Sequence, residues 1–115
     1  MPDAPVLGPI NLVAEIDAAS DFEKKHTPHI EVAASGDVSV ISVTVGWDVS
    51  HPNQPDHYIT WIELFANDAP IARFDLSPVA TAPIVSIVVA LEPGTVVRAI
   101  EHCNMHGLWA SEVTL

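Results

Sequence analysis

The feature that most constrains the fold of this chain is a succession of short segments rich in Val, Ile and Thr, each ended by residues that favour turns. Such segments are typical of β-strands, because branched and aromatic side chains fit a pleated, half-buried surface. Turn signals such as Ser35-Gly36-Asp37 and Glu92-Pro93-Gly94 separate them. The predicted strands are residues 30–33, 38–45, 58–65, 71–76, 84–89, 96–100 and 110–115.

The number and spacing of these segments predict an all-β fold. We expect an antiparallel β-sandwich of about seven strands, and an immunoglobulin-like arrangement is the interpretation that fits best. Two sheets of this size enclose a core about 10 Å thick, and we expect Trp47, Trp61 and Phe74 to fill it. One short helix is predicted before the strands, over residues 11–19, with Asn11 as its N-cap.

The chain length predicts a single domain. Its 115 residues, of which 49% are hydrophobic, are enough for one packed core. We place an N-terminal extension at residues 1–20 and the β-sandwich domain at residues 21–115.

The charge balance argues against one class of function, the binding of nucleic acid. The chain has 15 acidic and 4 basic residues, for a formal net charge of −11, which argues against binding to nucleic acid.

No apolar run approaches the roughly 20 residues that span a bilayer, so we expect no membrane segment. No Lys or Arg precedes Lys24, and a basic secretory leader is therefore not expected. The single cysteine agrees with a reducing, cytoplasmic location.

Four histidines and the cysteine form the natural donor set of a transition metal. His51 and His57 flank a loop with two prolines, Cys103 and His106 form a C-x-x-H segment, and His26 lies earlier in the chain. Nitrogen donors suit iron, copper or zinc, and sulfur adds a soft ligand. Five donors leave a sixth octahedral position for a small substrate. The set therefore predicts a redox metalloprotein.

A pair of lysines lies beside the first of these histidines. Lys24 and Lys25 directly precede His26 and are two of only four cations in the chain. On an otherwise negative protein, they would create a local positive potential that attracts a small anion.

The same donor set is carried by four segments in collinear order. They are Lys25-His26-Thr27-Pro28, His51-Pro52-Asn53, His57-Tyr58-Ile59 with Trp61-Ile62-Glu63-Leu64, and Cys103-Asn104-Met105-His106-Gly107-Leu108-Trp109 with Glu112-Val113-Thr114-Leu115. These segments resemble superoxide reductase, in particular its one-iron neelaredoxin branch, which is related to the C-terminal domain of desulfoferrodoxin. The resemblance covers about residues 22–115. The four-cysteine rubredoxin-like centre of desulfoferrodoxin is excluded by the single cysteine.

The resemblance implies the metal, its ligands and the reaction. It implies one iron ion with equatorial imidazoles from His26, His51, His57 and His106 and an axial sulfur from Cys103. The implied activity is the one-electron reduction of superoxide to hydrogen peroxide, with superoxide taking the iron position opposite the sulfur. The implied fold is the immunoglobulin-like sandwich.

The resemblance also implies roles beyond the ligands. Lys25 occupies the place of the family's active-site lysine, which draws in the anion and helps to order a protonating water. A rubredoxin-like carrier is implied as electron donor, and a homo-oligomer, in particular a tetramer, is suspected from relatives of this size. Many members have a glutamate two positions before the first histidine, where this chain has Lys24. We therefore expect water or hydroxide, rather than Glu23, at the sixth position of ferric iron.

Two other functional classes compete with this interpretation. A blue-copper electron carrier uses two His, one Cys and a weak axial Met, but no Met follows His106 and two histidines would lack a role. A non-catalytic metal-binding module or sensor is the second alternative. A structural zinc site would need only four ligands and no open position.

The remaining polar and aromatic candidates are assigned to packing or to the surface. His102 neighbours Cys103 on a strand, so its side chain is expected on the opposite face. His29 is expected to be an ordinary surface or partly buried histidine. Tyr58 and Trp109 are expected to shield the site.

Overall fold

A computed structural model of the protein describes residues 9–115, and most of these residues lie in β-strands. One short α-helix, α1, spans Asp21–His26, and a single 3-10 turn spans Ile16–Ala18. The strands are β1 (Ile10–Leu12), β2 (Pro28–Ser35), β3 (Val38–Val45), β4 (Ile59–Ala66), β5 (Ala69–Asp75), β6 (Ile84–Val89), β7 (Val96–Cys103) and β8 (Gly107–Thr114).

The strands form the predicted sandwich of two sheets. One sheet has the order β1-β8-β7-β4-β5 and the other the order β2-β3-β6. All neighbours are antiparallel except β1 and β8, which are parallel. Ile41 and Val43 of β3 are fully buried in one core cluster with Ile62, Leu64 and Val97 of the facing sheet. The all-β, immunoglobulin-like prediction is confirmed, and each predicted strand overlaps an observed one.

The alternation along β7 determines where the cysteine lies. Buried and partly exposed residues alternate over the whole strand, as expected when one face of a strand lies on the core. The buried positions are Val97, Ala99, Glu101 and Cys103, and all four are fully inaccessible to solvent. Cys103 is therefore delivered to the interior at the end of β7.

The predicted helix over residues 11–19 is wrong. Asn11 lies in β1, where it pairs with Trp109 and its side chain donates to the Leu108 carbonyl at 2.9 Å. This pairing with the sheet edge satisfies backbone groups that a helix N-terminus would leave unpaired.

The α-helix begins ten residues later than predicted, and it has its own start signal. Ser20 accepts a hydrogen bond from the Glu23 amide, and the Glu23 carboxylate accepts from the Ser20 amide at 3.0 Å. This Ser-x-x-Glu capping box satisfies two helix-end donors at once. The helix ends at His26, so its last turn presents that imidazole to the interior.

The predicted aromatic core is only partly correct. Phe74 packs against the core cluster, but Trp47 lies beyond the end of β3, is 50% exposed and stacks on His29 with ring centroids 4.0 Å apart. Trp61 lies on the outer face of its sheet, stacked on His102, with the Arg73 guanidinium over its ring. Aliphatic side chains fill most of the core instead.

Within residues 9–115, no helix has the length and hydropathy that crossing a membrane requires.

Candidate metal centre

Four of the predicted ligands meet at one end of the sandwich. His26 ends α1, His51 lies in the loop after β3, His57 lies just before β4, and Cys103 ends β7. One potential ligand atom from each residue lies within 4.8 Å of those of the other three. Three of the four residues are buried, and His57 is partly buried. Separate elements thus bring nitrogen and sulfur donors to one point.

Backbone carbonyls orient two of the imidazoles. Nδ1 of His26 donates to the Phe22 carbonyl at 2.7 Å, and Nδ1 of His51 donates to the Pro52 carbonyl at 2.6 Å. A carbonyl can only accept, so in each neutral ring the proton is on Nδ1 and Nε2 carries a lone pair. This second contact is the usual way in which proteins aim a metal-binding histidine.

The two Nε2 atoms face each other at 3.2 Å. Because both Nδ1 atoms donate, neither Nε2 of the neutral rings carries a proton, so the contact cannot be an ordinary hydrogen bond. Two lone pairs at this distance repel each other, and a cation that accepts both of them removes the repulsion. The arrangement therefore fits a metal ion.

The electrostatics keep these imidazoles neutral. Burial lowers the pKa of His26 and of His51 to about 4, against an ordinary value of 6.5, and neighbouring His57 and Lys25 act in the same direction. Metal binding requires the unprotonated ring. Both residues are thus in the ligand form at neutral pH.

Cys103 and His57 supply further donors. Sγ of Cys103 lies 3.4 Å from Nε2 of His51, and the Nε2 of His57 is buried with no hydrogen-bond partner in residues 9–115. Burial raises the pKa of the Cys103 thiol, and the Glu101 carboxylate raises it further, while the backbone amides of Met105 and His106 lower it. A cation beside the sulfur would favour the thiolate, which is the ligand form.

His106 lies at the rim of the cluster. Its ring centroid is 5.0 Å from that of His26 and 5.1 Å from that of His57, and the residue is partly exposed. It belongs to the same group of rings but not to the set whose ligand atoms lie within 4.8 Å of one another. Its role as the fourth imidazole ligand stays a prediction.

The three charged side chains in the middle of α1 differ in their relation to the cluster. The positive charge of Lys25 is close enough to lower the pKa values of His26, His51 and His106, whereas Lys24 lines a separate groove beside β1 and β8. The Glu23 carboxylate is held by Ser20 in the capping box.

Aromatic rings form an apolar wall on the helix side of the cluster. The Trp109 ring stacks on His26 with centroids 5.1 Å apart, and its Nε1 donates to the His106 carbonyl at 3.1 Å. The Phe22 ring lies 4.7 Å from His26 and 4.9 Å from His106. Trp109 was predicted to shield the site, whereas Phe22 was missed. Its i, i+4 relation to His26 on a helix is the signal that would have found it.

Gly46 is a second residue that the sequence reasoning missed. It has a φ of +92°, and a Cβ built on it would lie 2.6 Å from the backbone N of His51. Only glycine fits such a conformation and such a close approach without a shift of the neighbour. Gly46 therefore allows the chain to fold back so that His51 reaches the cluster.

Glu101 is the third residue that the sequence reasoning missed. Both carboxylate oxygens are buried without a hydrogen-bond partner in the described residues, and burial raises the pKa of this group well above its usual range. It lies two residues before Cys103 on the same strand face, and the alternation along β7, which puts a charged residue at a core position, is the signal that would have found it.

The two histidines outside the pattern lie away from the cluster. His102 points to the outer face of the sheet, where its Nδ1 lies 2.6 Å from the Thr60 hydroxyl, and the expectation that it faces away from Cys103 is confirmed. His29 is partly exposed and stacks on Trp47.

Comparison with known proteins adds an independent finding. The model of the desulfoferrodoxin family matches residues 18–112. The chain is 36% identical to superoxide reductase from Pyrococcus horikoshii over 101 residues, covering 80% of this chain and 88% of the relative. It is 41% identical to desulfoferrodoxin from Syntrophotalea carbinolica over 117 residues, covering 90% and 74%. The solved structure of superoxide reductase from Nanoarchaeum equitans is similar, with a TM-score of 0.75, 32% identity and coverage of 80% and 94%.

The low pKa values predict how the metal-free protein responds to acid. Between pH 6.5 and about 4, the unfolded chain binds protons at His26 and His51 that the folded chain does not. The free energy of unfolding should therefore fall as the pH falls through this window, by up to roughly 3 kcal/mol per imidazole. Urea unfolding of the metal-free protein between pH 7.5 and about 4 measures this slope.

The variant His51→Asn isolates the effect. Asn keeps a donor near the position of Nδ1 but does not titrate, so its unfolding free energy should vary less with pH than that of the parent. Equal slopes for the variant and the parent would contradict the low pKa of His51 in the folded protein.

Proposed function

The chain belongs to the desulfoferrodoxin family, and from this premise we propose that it is a superoxide reductase with one mononuclear non-haem iron per subunit. We propose that the ligands are the imidazoles of His26, His51, His57 and His106 and the thiolate of Cys103.

The observation that carries this proposal is the convergence of three imidazoles and one cysteine sulfur in a largely buried cluster. The Nε2 atoms of His26 and His51 lie 3.2 Å apart, and a cation between or beside them would accept both lone pairs. The Sγ of Cys103 lies 3.4 Å from one of these nitrogens. A set of several imidazoles and one thiolate suits iron among the metals that such donors bind. The names of the similar proteins support the same reaction.

Different residues of the chain have separate roles around this iron. A bound ferrous ion would supply the single electron that reduces superoxide, and the product hydrogen peroxide also needs two protons. The carbonyls of Phe22 and Pro52 hold two imidazoles with their lone pairs inward. Phe22 and Trp109 limit the approach of water from the helix side.

Lys25 is the residue that we assign to the substrate. Its charge acts on three of the imidazoles, so a superoxide anion that approaches the cluster meets a positive potential within a protein of net charge −11. Such local fields raise encounter rates between charged partners. In this proposal, Lys25 attracts the anion and orders the water that delivers a proton.

The remaining partners follow from the reaction. Each turnover would consume one electron, so a one-electron donor is required, and we propose a small rubredoxin-like carrier. We propose a cytoplasmic location, where reducing conditions keep the Cys103 thiol available, and assembly of the chain as a homotetramer.

A blue-copper carrier is supported less well by the geometry. It would use two imidazoles and the cysteine, whereas three imidazoles reach the ligand cluster and a fourth lies at its rim.

Metal analysis with electronic spectra tests the proposed function. We expect one iron per subunit and, in the oxidised protein, a sulfur-to-iron charge-transfer band. The variant Cys103→Ser should lose this band while its far-ultraviolet circular dichroism remains that of the parent, since the replaced atom lies at a strand end. Copper or zinc in place of iron, or a band that survives the substitution, would overturn the proposal.

The electrostatic role of Lys25 is tested against its neighbour. Lys25→Ala should slow the reaction of the ferrous protein with superoxide by roughly tenfold at low ionic strength, and it should weaken the salt dependence. Lys24→Ala removes the same charge from a side chain that lines another groove, so its effect should be clearly smaller. Pulse radiolysis over a range of salt concentrations gives both rates, and equal rates for the Lys25 variant and the parent would contradict the role.

Glu23 is tested as a sixth ligand. Its carboxylate is engaged with Ser20, so Glu23→Ala should leave the charge-transfer band of the ferric protein nearly unchanged. It should lower the unfolding free energy by about 1 kcal/mol, because the capping box is lost. A clear shift of the band would instead mean that Glu23 reaches the iron and that solvent does not fill the sixth position.

A further inference from the structure

His57 is held differently from the two buried imidazoles of the cluster. His26 and His51 are each held by a hydrogen bond from Nδ1 to a backbone carbonyl. The hydrogen bonds of residues 9–115 include no such contact for His57, and its Nε2 is buried without a partner. The backbone of His57 exchanges two hydrogen bonds of 3.0 Å with Gln54, so the contacts that position this residue are made by its backbone and by the peptide units beside it.

The side chain of Asn104 holds the backbone on both sides of His57. Its Oδ1 accepts from the Tyr58 amide at 2.9 Å, and its Nδ2 donates to the Asp56 carbonyl at 2.9 Å. The backbone amide of Asn104 donates to the Tyr58 carbonyl at 3.2 Å. Asn104 directly follows Cys103, so its two side-chain bonds join the cysteine to the peptide units that flank His57, and its amide joins it to the next peptide unit.

The position of Asn104 in the sheet explains this contact. Cys103 pairs with Ile59 in the last step of the ladder between β4 and β7. One step beyond it the Asn104 amide still bonds to the Tyr58 carbonyl, and the chain then turns away through Met105 towards His106, so the Tyr58 amide and the Asp56 carbonyl are left for a side chain to pair. The carboxamide of Asn104, which has a donor and an acceptor like a peptide unit, takes over this pairing.

From these contacts, and on the basis of the iron site proposed above, we propose that Asn104 is a positioning residue for the metal centre. It holds the imidazole of His57 at a fixed place relative to the sulfur of Cys103. It does not touch the ion, and it acts through the backbone rather than through the ring of the ligand.

The chemistry of the two partners makes this position selective for Asn. The Tyr58 amide can only donate and the Asp56 carbonyl can only accept. Asp lacks the donor and would place a negative oxygen against the Asp56 carbonyl. A Ser hydroxyl is too short to reach both groups, and Leu has the size of Asn but neither hydrogen-bonding group.

Asn67 provides a matched control at the opposite end of the same strand pair. Its Oδ1 accepts from the Val96 amide at 2.9 Å, and its own amide donates to the Val96 carbonyl. Asn67 also has a φ of +47°, which Asn tolerates better than Ala. Asn67→Ala thus loosens the junction of β4 and β7 by a comparable chemical change, far along the ladder from Cys103.

The test compares Asn104→Ala and Asn104→Leu with Asn67→Ala and the parent. Ferrous affinity is measured by competition with a chelator, the ferric charge-transfer band by absorption, and unfolding of the metal-free proteins by urea. We expect both Asn104 variants to bind ferrous iron about 10- to 100-fold more weakly than the parent, as for other residues that orient metal ligands, and to show a shifted band. We expect Asn67→Ala to lose folding stability but to keep the parent's affinity and band.

Hydrogen exchange of the metal-free protein tests the contact without iron. The Tyr58 amide should exchange slowly in the parent and in Asn67→Ala, and fast in both Asn104 variants. A Tyr58 amide that is unprotected in the parent, or Asn104 variants with unchanged iron affinity, would overturn the inference. An equal loss of affinity in Asn67→Ala would also overturn it, because general loosening of the strand pair would then explain the result. Absence of iron from the parent would instead count against the proposed function, and the Tyr58 amide would still decide the contact.

Discussion

The antiparallel pairing of β4 with β7 is the interaction on which the rest of the metal centre depends. It places the end of β7, with Cys103, beside the start of β4, just after His57. An antiparallel ladder has a fixed register wherever one face is buried, because a slip of one residue would turn every core side chain to solvent. The fully buried Ile62 and Leu64 of β4 fix this register up to Trp61, and a register shift between Trp61 and Ile59 then brings Ile59 opposite Cys103.

The other donors are added to this pair by short, strongly constrained segments. His51 reaches the cluster because Gly46 permits a close fold-back of the loop after β3. His26 reaches it because the capping box starts a helix of six residues that ends with this imidazole pointing inward. Burial then keeps both rings neutral. The same packing thus brings the ligands together and keeps the imidazoles of His26 and His51 neutral. Lys25 adds a positive charge near the cluster.

The strands could be predicted well and the N-terminal segment could not, for a physical reason. The strand segments contain few residues that suit another structure, and their alternation matches a sandwich with one buried face per sheet. Asn11, by contrast, suits both a helix start and a sheet edge, and pairing with β8 decided between them. The capping box at Ser20 and Glu23 was a readable signal that was missed. Trp47 was misassigned because it lies two residues beyond the end of β3, where the alternation no longer says which side is buried.

The sequence by itself determined the all-β class, the strand segments and the chemical kind of the site. Hydrophobic alternation and the type of donor atom depend only on which side chains follow one another along the chain. Only the tertiary structure decided which donors meet, how the rings are turned and which residues support them. The Phe22 and Pro52 carbonyls and the bonds of Asn104 to the backbone around His57 have no signature in the sequence. Every residue but proline offers the same backbone amide and every residue the same carbonyl, so only the folded chain determines which of these groups lies within reach of a ligand.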